Sequence, residues 1–256
     1  MQPKKPSVSV LLPVHNVGHY LAACLDSLLD STYEDFEIIA IDDFSRDDTW
    51  KILKIYKQLD NRIRIYRNVK HYGKAITLNR ALKKAKGHLL ALMDGKDMVY
   101  KNRLKKQATY LQNNPQVVAV GTQCTFINSI GRSTGKSAFP QHTETIYHRP
   151  LHGIALDFET IMINKTVLPK DLLYFNTSES AVLYSDITMK LLQFGNIINL
   201  PHFLQYRRTE NPHRKTTFKK IPSLIKLWIQ SMDTYEYRPN LRSFLNTFRS
   251  PDLSTQ

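Results

Sequence analysis

The stretch His88-Leu89-Leu90-Ala91-Leu92-Met93-Asp94-Gly95-Lys96-Asp97 decides the fold. Its apolar residues run unbroken and stop at an aspartate, which is followed by a glycine, a lysine and a second aspartate. That order predicts a buried strand ending in a tight turn, with charged groups at the carboxyl end. Open parallel sheets bind ligands outside the carboxyl ends of their strands. Asp94, Lys96 and Asp97 are therefore candidate site residues. A polar turn that merely closes a buried strand has the same pattern, so the flanking chain must decide.

Strands and helices alternate around this stretch. Val8-Ser9-Val10-Leu11-Leu12-Pro13 reads as a strand that Pro13 ends. Over 20–30, Tyr20, Leu21, Cys24, Leu25, Leu28 and Leu29 share one helical face. Phe36-Glu37-Ile38-Ile39-Ala40-Ile41 is a second strand, closed by Asp42-Asp43. Ser45 or Asp47 is placed to cap the next helix, which turns Ile52, Leu53, Ile55, Tyr56 and Leu59 inward. Arg62-Ile63-Arg64-Ile65-Tyr66 alternates as a half-exposed strand, and Gly73 opens a helix over 74–86. After the deciding stretch come a helix over 101–113 and a short buried strand, Val117-Val118-Ala119-Val120. Strand and helix thus alternate four times in about 120 residues, which predicts an α/β fold with a mostly parallel sheet and helices on both faces. No G-x-G-x-x-G follows the first strand and no P-loop is present, which argues against dinucleotide and P-loop chemistry.

The second half is less regular. Residues 128–141 are rich in Ser, Gly and Lys and read as a mobile loop. Strands are expected over 159–164 and 203–207, and a helix over 180–194 closed by Gly195. Residues 211–220 are basic. An amphipathic helix follows over 221–232, with Ile221, Leu224, Ile225, Trp228 and Ile229 on one side.

With 256 residues, 42% hydrophobic and 23% charged, the chain can bury a sizeable core. Cys24 and Cys124 lie far apart in apolar surroundings and read as reduced core cysteines. No apolar run is long enough to span a bilayer, and the start leads straight into a strand, so a cytoplasmic protein is expected. The net charge of +14 suits a polyanionic partner. A phosphorylated substrate and an anionic inner membrane face both qualify, the latter through peripheral contact by the basic C-terminal segment. Nucleic acid is not expected, for no recognition-helix signature or interleaved aromatic motif is present.

Val8-Ser9-Val10-Leu11-Leu12-Pro13-Val14-His15-Asn16, then Phe36 to Thr49 with Asp42-Asp43-Phe44-Ser45-Arg46-Asp47-Asp48, then Lys86-Gly87 before the deciding stretch, resemble family 2 glycosyltransferases. The resemblance is strong over about residues 7–128 and continues weakly through Leu200-Pro201 and Tyr206-Arg207. It implies a GT-A (Rossmann-like) fold, a nucleotide diphosphate sugar as donor, a saccharide or lipid-linked acceptor, and inversion at the anomeric carbon. It also implies a nucleotide site at Pro13, His15, Asn16, Asp43 and Asp94. There the His15 ring stacks on the base and Asp43 accepts from the N–H of its edge. The alternative is that Asp42 and Asp43 only cap a turn. The implied organisation is a nucleotide-sugar half over 1–128, an acceptor-side half of the same domain over 129–220, and a C-terminal helix and tail over 221–256.

Three positions depart from the family's pattern. The family's metal-binding aspartate is replaced by Lys96, whose ammonium has no lone pair for a cation, leaving Asp94 and Asp97 as possible ligands. The acidic pair that carries the family's base falls on Leu183 and Tyr184, leaving Asp186 and Glu179 as the nearest carboxylates. The histidine that often follows Tyr-Arg is replaced by Thr209. The cofactor expectation is accordingly either none or a divalent cation, Mn2+ or Mg2+. Two readings follow. In one, Lys96 with Arg208, His213, Arg214 or Lys215 neutralises the leaving diphosphate and Asp186 or Glu179 is the base. In the other, the chain keeps the fold without catalysis, as a nucleotide-sugar sensor or partner subunit.

Overall fold

The computed structural model describes residues 5–147, 156–177, 183–209 and 221–234. Four strand–helix units come first. They are β1 (Val8–Val14) and α1 (Gly18–Leu29), β2 (Phe36–Asp42) and α2 (Thr49–Leu59), β3 (Ile63–Arg67) and α3 (Lys74–Lys84), and β4 (Leu89–Leu92), which leads through β5 (Met98–Val99) to α4 (Arg103–Asn113). The chain continues with β6 (Val117–Ile127), β7 (Ser133–Lys136), α5 (Thr143–Tyr147), β8 (Met162–Asn164), α6 (Leu183–Leu192), β9 (Asn196–Arg208) and α7 (Ile221–Thr234).

All these strands join one sheet in the order β3-β2-β1-β4-β8-β6-β9-β5, with β7 paired to β6. The strands β3, β2, β1 and β4 are mutually parallel, as the alternation predicts. The order reverses at β1, so a crevice opens at the carboxyl ends of β1 and β4. Val117–Val120 does not extend this parallel core directly. The antiparallel β8 lies between β4 and β6, and β6 begins a second parallel pair with β9.

Helices cover both faces, which is why the central strands are apolar on both sides. On one face Leu21, Leu25, Leu28, Leu53 and Leu104 pack on Val8, Val10 and Leu12. On the other Leu78, Ala81 and Ile187 pack on Leu11, Ile39 and Leu92. Each leucine buried in this way contributes about 1.5–3 kcal/mol.

The irregular backbone beyond β4 is satisfied by a buried polar pair. Arg103 is wholly buried and donates to the carbonyl oxygens of Leu92 (2.9 Å) and Glu159 (3.1 Å). Its Nε donates to Gln107, whose amide donates to Val120 and Thr160 carbonyls at 2.8 Å. Burial pulls the guanidinium down to about 10, against the pull of Asp97 and Asp157, so it stays charged at neutral pH.

Several expectations need correction. Pro13 lies inside β1, not at its end. Pairing of β1 with β4 stops at Leu11, so the missing N–H of Pro13 breaks no ladder bond on that side. Ile55 and Leu59 of α2 are exposed, and Leu53 is the hydrophobic residue it buries, because a helix against the outer strands presents a narrow face to the sheet. The segment 128–141 is not a loop throughout, for β7 pairs antiparallel with β6. Glu159 lies in a 3-10 turn, Phe158–Thr160, ahead of β8 rather than in a strand. In α7, Ile225 and Ile229, two members of the expected apolar side, are exposed, and Leu227 is buried.

Lys86-Gly87 closes the approach to β4. The Gly87 N–H donates to Ser9 Oγ (2.8 Å) and the Lys86 N–H to Glu37 (2.7 Å). A Cβ on Gly87 would stand 2.6 Å from the Ser9 nitrogen and 2.8 Å from the Val8 carbonyl carbon. Gly87→Ala should therefore cost about 1–3 kcal/mol, read as a lower urea midpoint. An unchanged midpoint would mean that β1 and β4 can part without loss.

Candidate functional site

The turns after β1 and β2 are laced together. Asn16, with φ 50°, receives the Arg46 N–H on its side-chain oxygen and donates its own N–H to Ser45 Oγ, both at 2.9 Å. The Val17 N–H donates to Thr49 Oγ1 and the Gly18 N–H to Asp47. Ser45 thus does not cap α2; Asp47 accepts from the Thr49 N–H at 3.1 Å. Phe44, at φ 63°, holds a left-handed conformation uncommon for a bulky residue, and Arg67 lies over its ring.

Asp43 joins this clasp to α3. One carboxylate oxygen accepts from Asn68 Nδ2 (2.6 Å) and the Tyr72 N–H (2.9 Å). The other accepts from the Gly73 N–H (2.7 Å) and lies 2.9 Å from His71 Nδ1. His15 Nδ1 is 2.8 Å from the Asp43 carbonyl oxygen, so that nitrogen carries the proton and Nε2 is left to accept from Asn16 Nδ2 at 3.1 Å. The His15 and His71 rings lie against each other at a tilt of 32°, with centroids 4.1 Å apart.

These groups wall a pocket of about 210 Å³ lined by Pro13, His15, Asp43, His71, Lys74, Asp94 and Lys96, among others. Beyond it lies a buried ionic network. Lys74 Nζ is 2.7 Å from Glu159 Oε1 and 3.3 Å from Asp94 Oδ2. Tyr184 donates its hydroxyl to the same Glu159 oxygen at 2.7 Å and stacks on Phe158. Arg207 binds Asp97 (3.0 Å), Asp157 (3.0 Å) and Glu159 (3.2 Å). Burial would raise Glu159, but Arg207 and Lys74 overcome it and hold the carboxyl well below its usual range. Asp157 is pushed up to about 7 by burial, against Arg207 and with Glu159 adding to the rise. Burial would lower Lys74; Glu159, Tyr184 and Asp94 together hold it well above the ordinary lysine range.

The structure gathers Pro13, His15, Asp43, Asp94 and Lys96 in one pocket. Asn16 stands behind His15 as a member of the clasp. Asp97 is buried, accepting from Gln205 (2.8 Å), Arg207 (3.0 Å) and the Arg208 N–H (2.8 Å). Arg208 lies over the Tyr20 ring and donates to the Lys96 carbonyl. Asp186 is buried in α6 with Lys190 at 2.7 Å, and it does not line the pocket. Glu179, His213, Arg214 and Lys215 lie outside the described residues. Sequence reasoning missed His71 and Lys74 as pocket residues. The signal for both was Gly73, which opens a helix at the carboxyl edge of the sheet.

The donor set at this turn does not fit a divalent cation. Asp97 spends its oxygens on β9, Asp94 faces the Lys74 ammonium, and the residue between them is Lys96. Among the described residues no group of three or more His, Cys, Asp or Glu side chains is placed to hold a metal ion.

A family model, "Glycosyl transferase family 2", matches residues 9–170. The chain belongs to that family. The O-antigen biosynthesis glycosyltransferase WbnJ of Escherichia coli is 28% identical over 93% of this chain and 92% of its own length. The glycosyltransferase GlyG of Streptococcus pneumoniae is 31% identical, but the match takes in 48% of this chain and 41% of that protein. Among solved structures, S. aureus TarS in complex with UDP-GlcNAc shares the fold at a TM-score of 0.73 and 21% identity, covering 94% of this chain and 72% of that one.

The Asp43 carboxyl sits below its ordinary range: burial would raise it, and Asn68, the Tyr72 and Gly73 N–H groups and His71 outweigh that. A carboxyl depressed on folding contributes stability that is present above its unfolded pKa and lost as pH falls through the folded one. Asp43→Asn should therefore lower stability at neutral pH by about 1–3 kcal/mol. The gap to the unmodified protein should close as pH falls below about 4. Urea midpoints across pH check this, and a gap that persists undiminished in acid would refute it.

Proposed function

We propose that the protein transfers a sugar from a nucleotide diphosphate sugar to a saccharide or lipid-linked acceptor, with inversion and without a divalent cation. The observation that carries this is the pocket at the ends of β1, β2 and β4, which brings an imidazole pair and two ammonium groups together in a family 2 chain. The base meets the rings of His15 and His71. Asp43 serves by fixing both rings and the backbone at the start of α3. Lys96, exposed and with no ion pair among the described residues, receives the diphosphate. Arg208, His213 and Arg214 are proposed to add charge there. As the acceptor oxygen bonds to the anomeric carbon, the bond to the diphosphate breaks and takes the electron pair with it. The hydroxyl proton passes to a carboxylate. Asp186 is engaged by Lys190, which makes Glu179 the base to test first.

Similar proteins support the substrate class. The UDP-Glc:alpha-D-GlcNAc-diphosphoundecaprenol beta-1,3-glucosyltransferase WfgD of Escherichia coli is 28% identical over 84% of this chain and 82% of its own length. S. aureus TarS has been solved with UDP as well as with UDP-GlcNAc. Acceptors of that kind sit at a membrane. No helix among the described residues is long and apolar enough to cross one. The exposed Ile225, Ile229 and Met232 of α7, on a chain of net charge +14, suit peripheral contact with an anionic surface. One observation favours a second reading, a nucleotide-sugar-binding partner without catalysis: Tyr184, where the family places an acid, is spent on Glu159.

Calorimetry with UDP, GDP, CDP and ADP tests the site. One diphosphate should bind, and His15→Ala should weaken it by about 1–3 kcal/mol. No binding by any of the four would end the proposal. Nucleotide release from the matching nucleotide sugar separates enzyme from partner. It should be lost in Glu179→Gln while the diphosphate still binds; no release by the unmodified protein with any donor and acceptor tried would favour the partner reading.

A further inference from the structure

Lys74 is the feature that the reading above leaves unused. It is the first residue of α3, and its ammonium stands between carboxylates from two separate elements. Asp94 comes from the turn after β4, and Glu159 from the 3-10 turn before β8. The face of Tyr184 lies 5.4 Å from the same nitrogen. Of the groups around it, Glu159 is nearly buried while the Lys74 side chain is 36% exposed, toward the pocket that it lines. An ammonium has three donors. One is directed at Glu159 and a second at Asp94 by a longer contact, and the Tyr184 hydroxyl is also within reach, so a diphosphate oxygen in the pocket would take over the long Asp94 contact.

A hard cation bound at the end of β4 needs carboxylate oxygens and the oxygens of a diphosphate. Asp94 and Glu159 are the carboxylates that face one another there, and Lys74 fills the space between them. We propose that Lys74 is a built-in cation that takes the place of the divalent metal and reads the diphosphate directly. The inference rests on the nucleotide-sugar reading and deepens it. Lys96 is an exposed charge, whereas Lys74 is anchored by two carboxylates and is already in place when the diphosphate arrives. Tyr184 and Arg207 are positioning groups: they hold Glu159 so that Glu159 holds Lys74.

Removing the ammonium leaves oxygens of Asp94 and Glu159 around the vacated place, with Glu159 still paired to Arg207 through its other oxygen, and hard carboxylate oxygens are what a divalent cation takes as ligands. Lys74→Met should therefore create a metal site where the described residues of the unmodified protein hold none. The experiment is titration of UDP and uridine into the unmodified protein, Lys74→Met and Lys74→Arg, first with EDTA and then with Mn2+. In the unmodified protein Mn2+ should change UDP affinity by less than about twofold, within the scatter of such titrations. Lys74→Met should lose about 10- to 100-fold in UDP affinity with EDTA, the range of one charged hydrogen bond, and recover it with Mn2+. Lys74→Arg should retain UDP binding, and uridine binding should be the same in all three.

Mn2+ should strengthen UDP binding to Lys74→Met alone, and Asp94→Asn added to that variant should abolish the effect. Lys74→Met with undiminished UDP affinity in EDTA overturns the proposal, as does strong Mn2+ dependence in the unmodified protein. The unmodified protein and Lys74→Arg decide the matter even if Lys74→Met fails to fold. Failure of UDP to bind the unmodified protein defeats the nucleotide reading instead. Titration of Mn2+ alone then decides this inference: binding to Lys74→Met and not to the unmodified protein supports a cation's place held by Lys74, and no binding to either overturns it.

Discussion

A single guanidinium holds the ionic network beside the pocket together. Arg207, near the end of β9, ion-pairs with Asp97, Asp157 and Glu159. Buried carboxylates this close repel one another and would be protonated without it. With it, Glu159 stays ionised and so attracts Lys74, while Asp157 carries the remaining strain as a raised pKa of about 7. The last segment of the sheet thereby sets the charge at the end of β4. Arg103 works beneath it by a different means, satisfying the carbonyl oxygens of Leu92 and Glu159 where the backbone leaves regular pairing.

The other end of the pocket depends on neutral and charge-assisted hydrogen bonds. Asn16, Ser45, Asp47 and Thr49 tie two turns to each other, and Asp43 ties both to the start of α3. The result is a rigid floor for flat ligands beside a cationic end for charged ones. Such a division suits a molecule that is aromatic at one end and anionic at the other.

Much of this was legible in the sequence. Strand–helix alternation predicted that β1 to β4 run parallel, though not their order β3-β2-β1-β4, and the strand-end motifs led to His15, Asp43, Asp94 and Lys96. These signals are local, carried by periodicity and by turn residues. A strand at Met162–Asn164 was expected, but its antiparallel place between β4 and β6 was not, because both partners lie far away in the chain. The exposure of Ile55 and Leu59 depends on how much sheet lies under α2, which no helical pattern records. Asp97 looked like a metal ligand from its neighbours, and its real partners, Gln205, Arg207 and Arg208, are more than a hundred residues away. Lys74 was read as a helix start when it is also an ionic bridge between two distant carboxylates.

The span from Asp97 to Arg207, 110 residues, has a consequence for biosynthesis. Chains leave the ribosome at about 5–20 residues per second, so Asp97 waits about 5–20 s for its guanidinium and Asp157 and Glu159 about half as long. During that interval β1 to β4 can pair, since their partners are already made. The carboxylates at the end of β4 must stay hydrated, and the second half cannot close over them. A nascent chain of this protein thus keeps β6 without its parallel partner until β9 emerges.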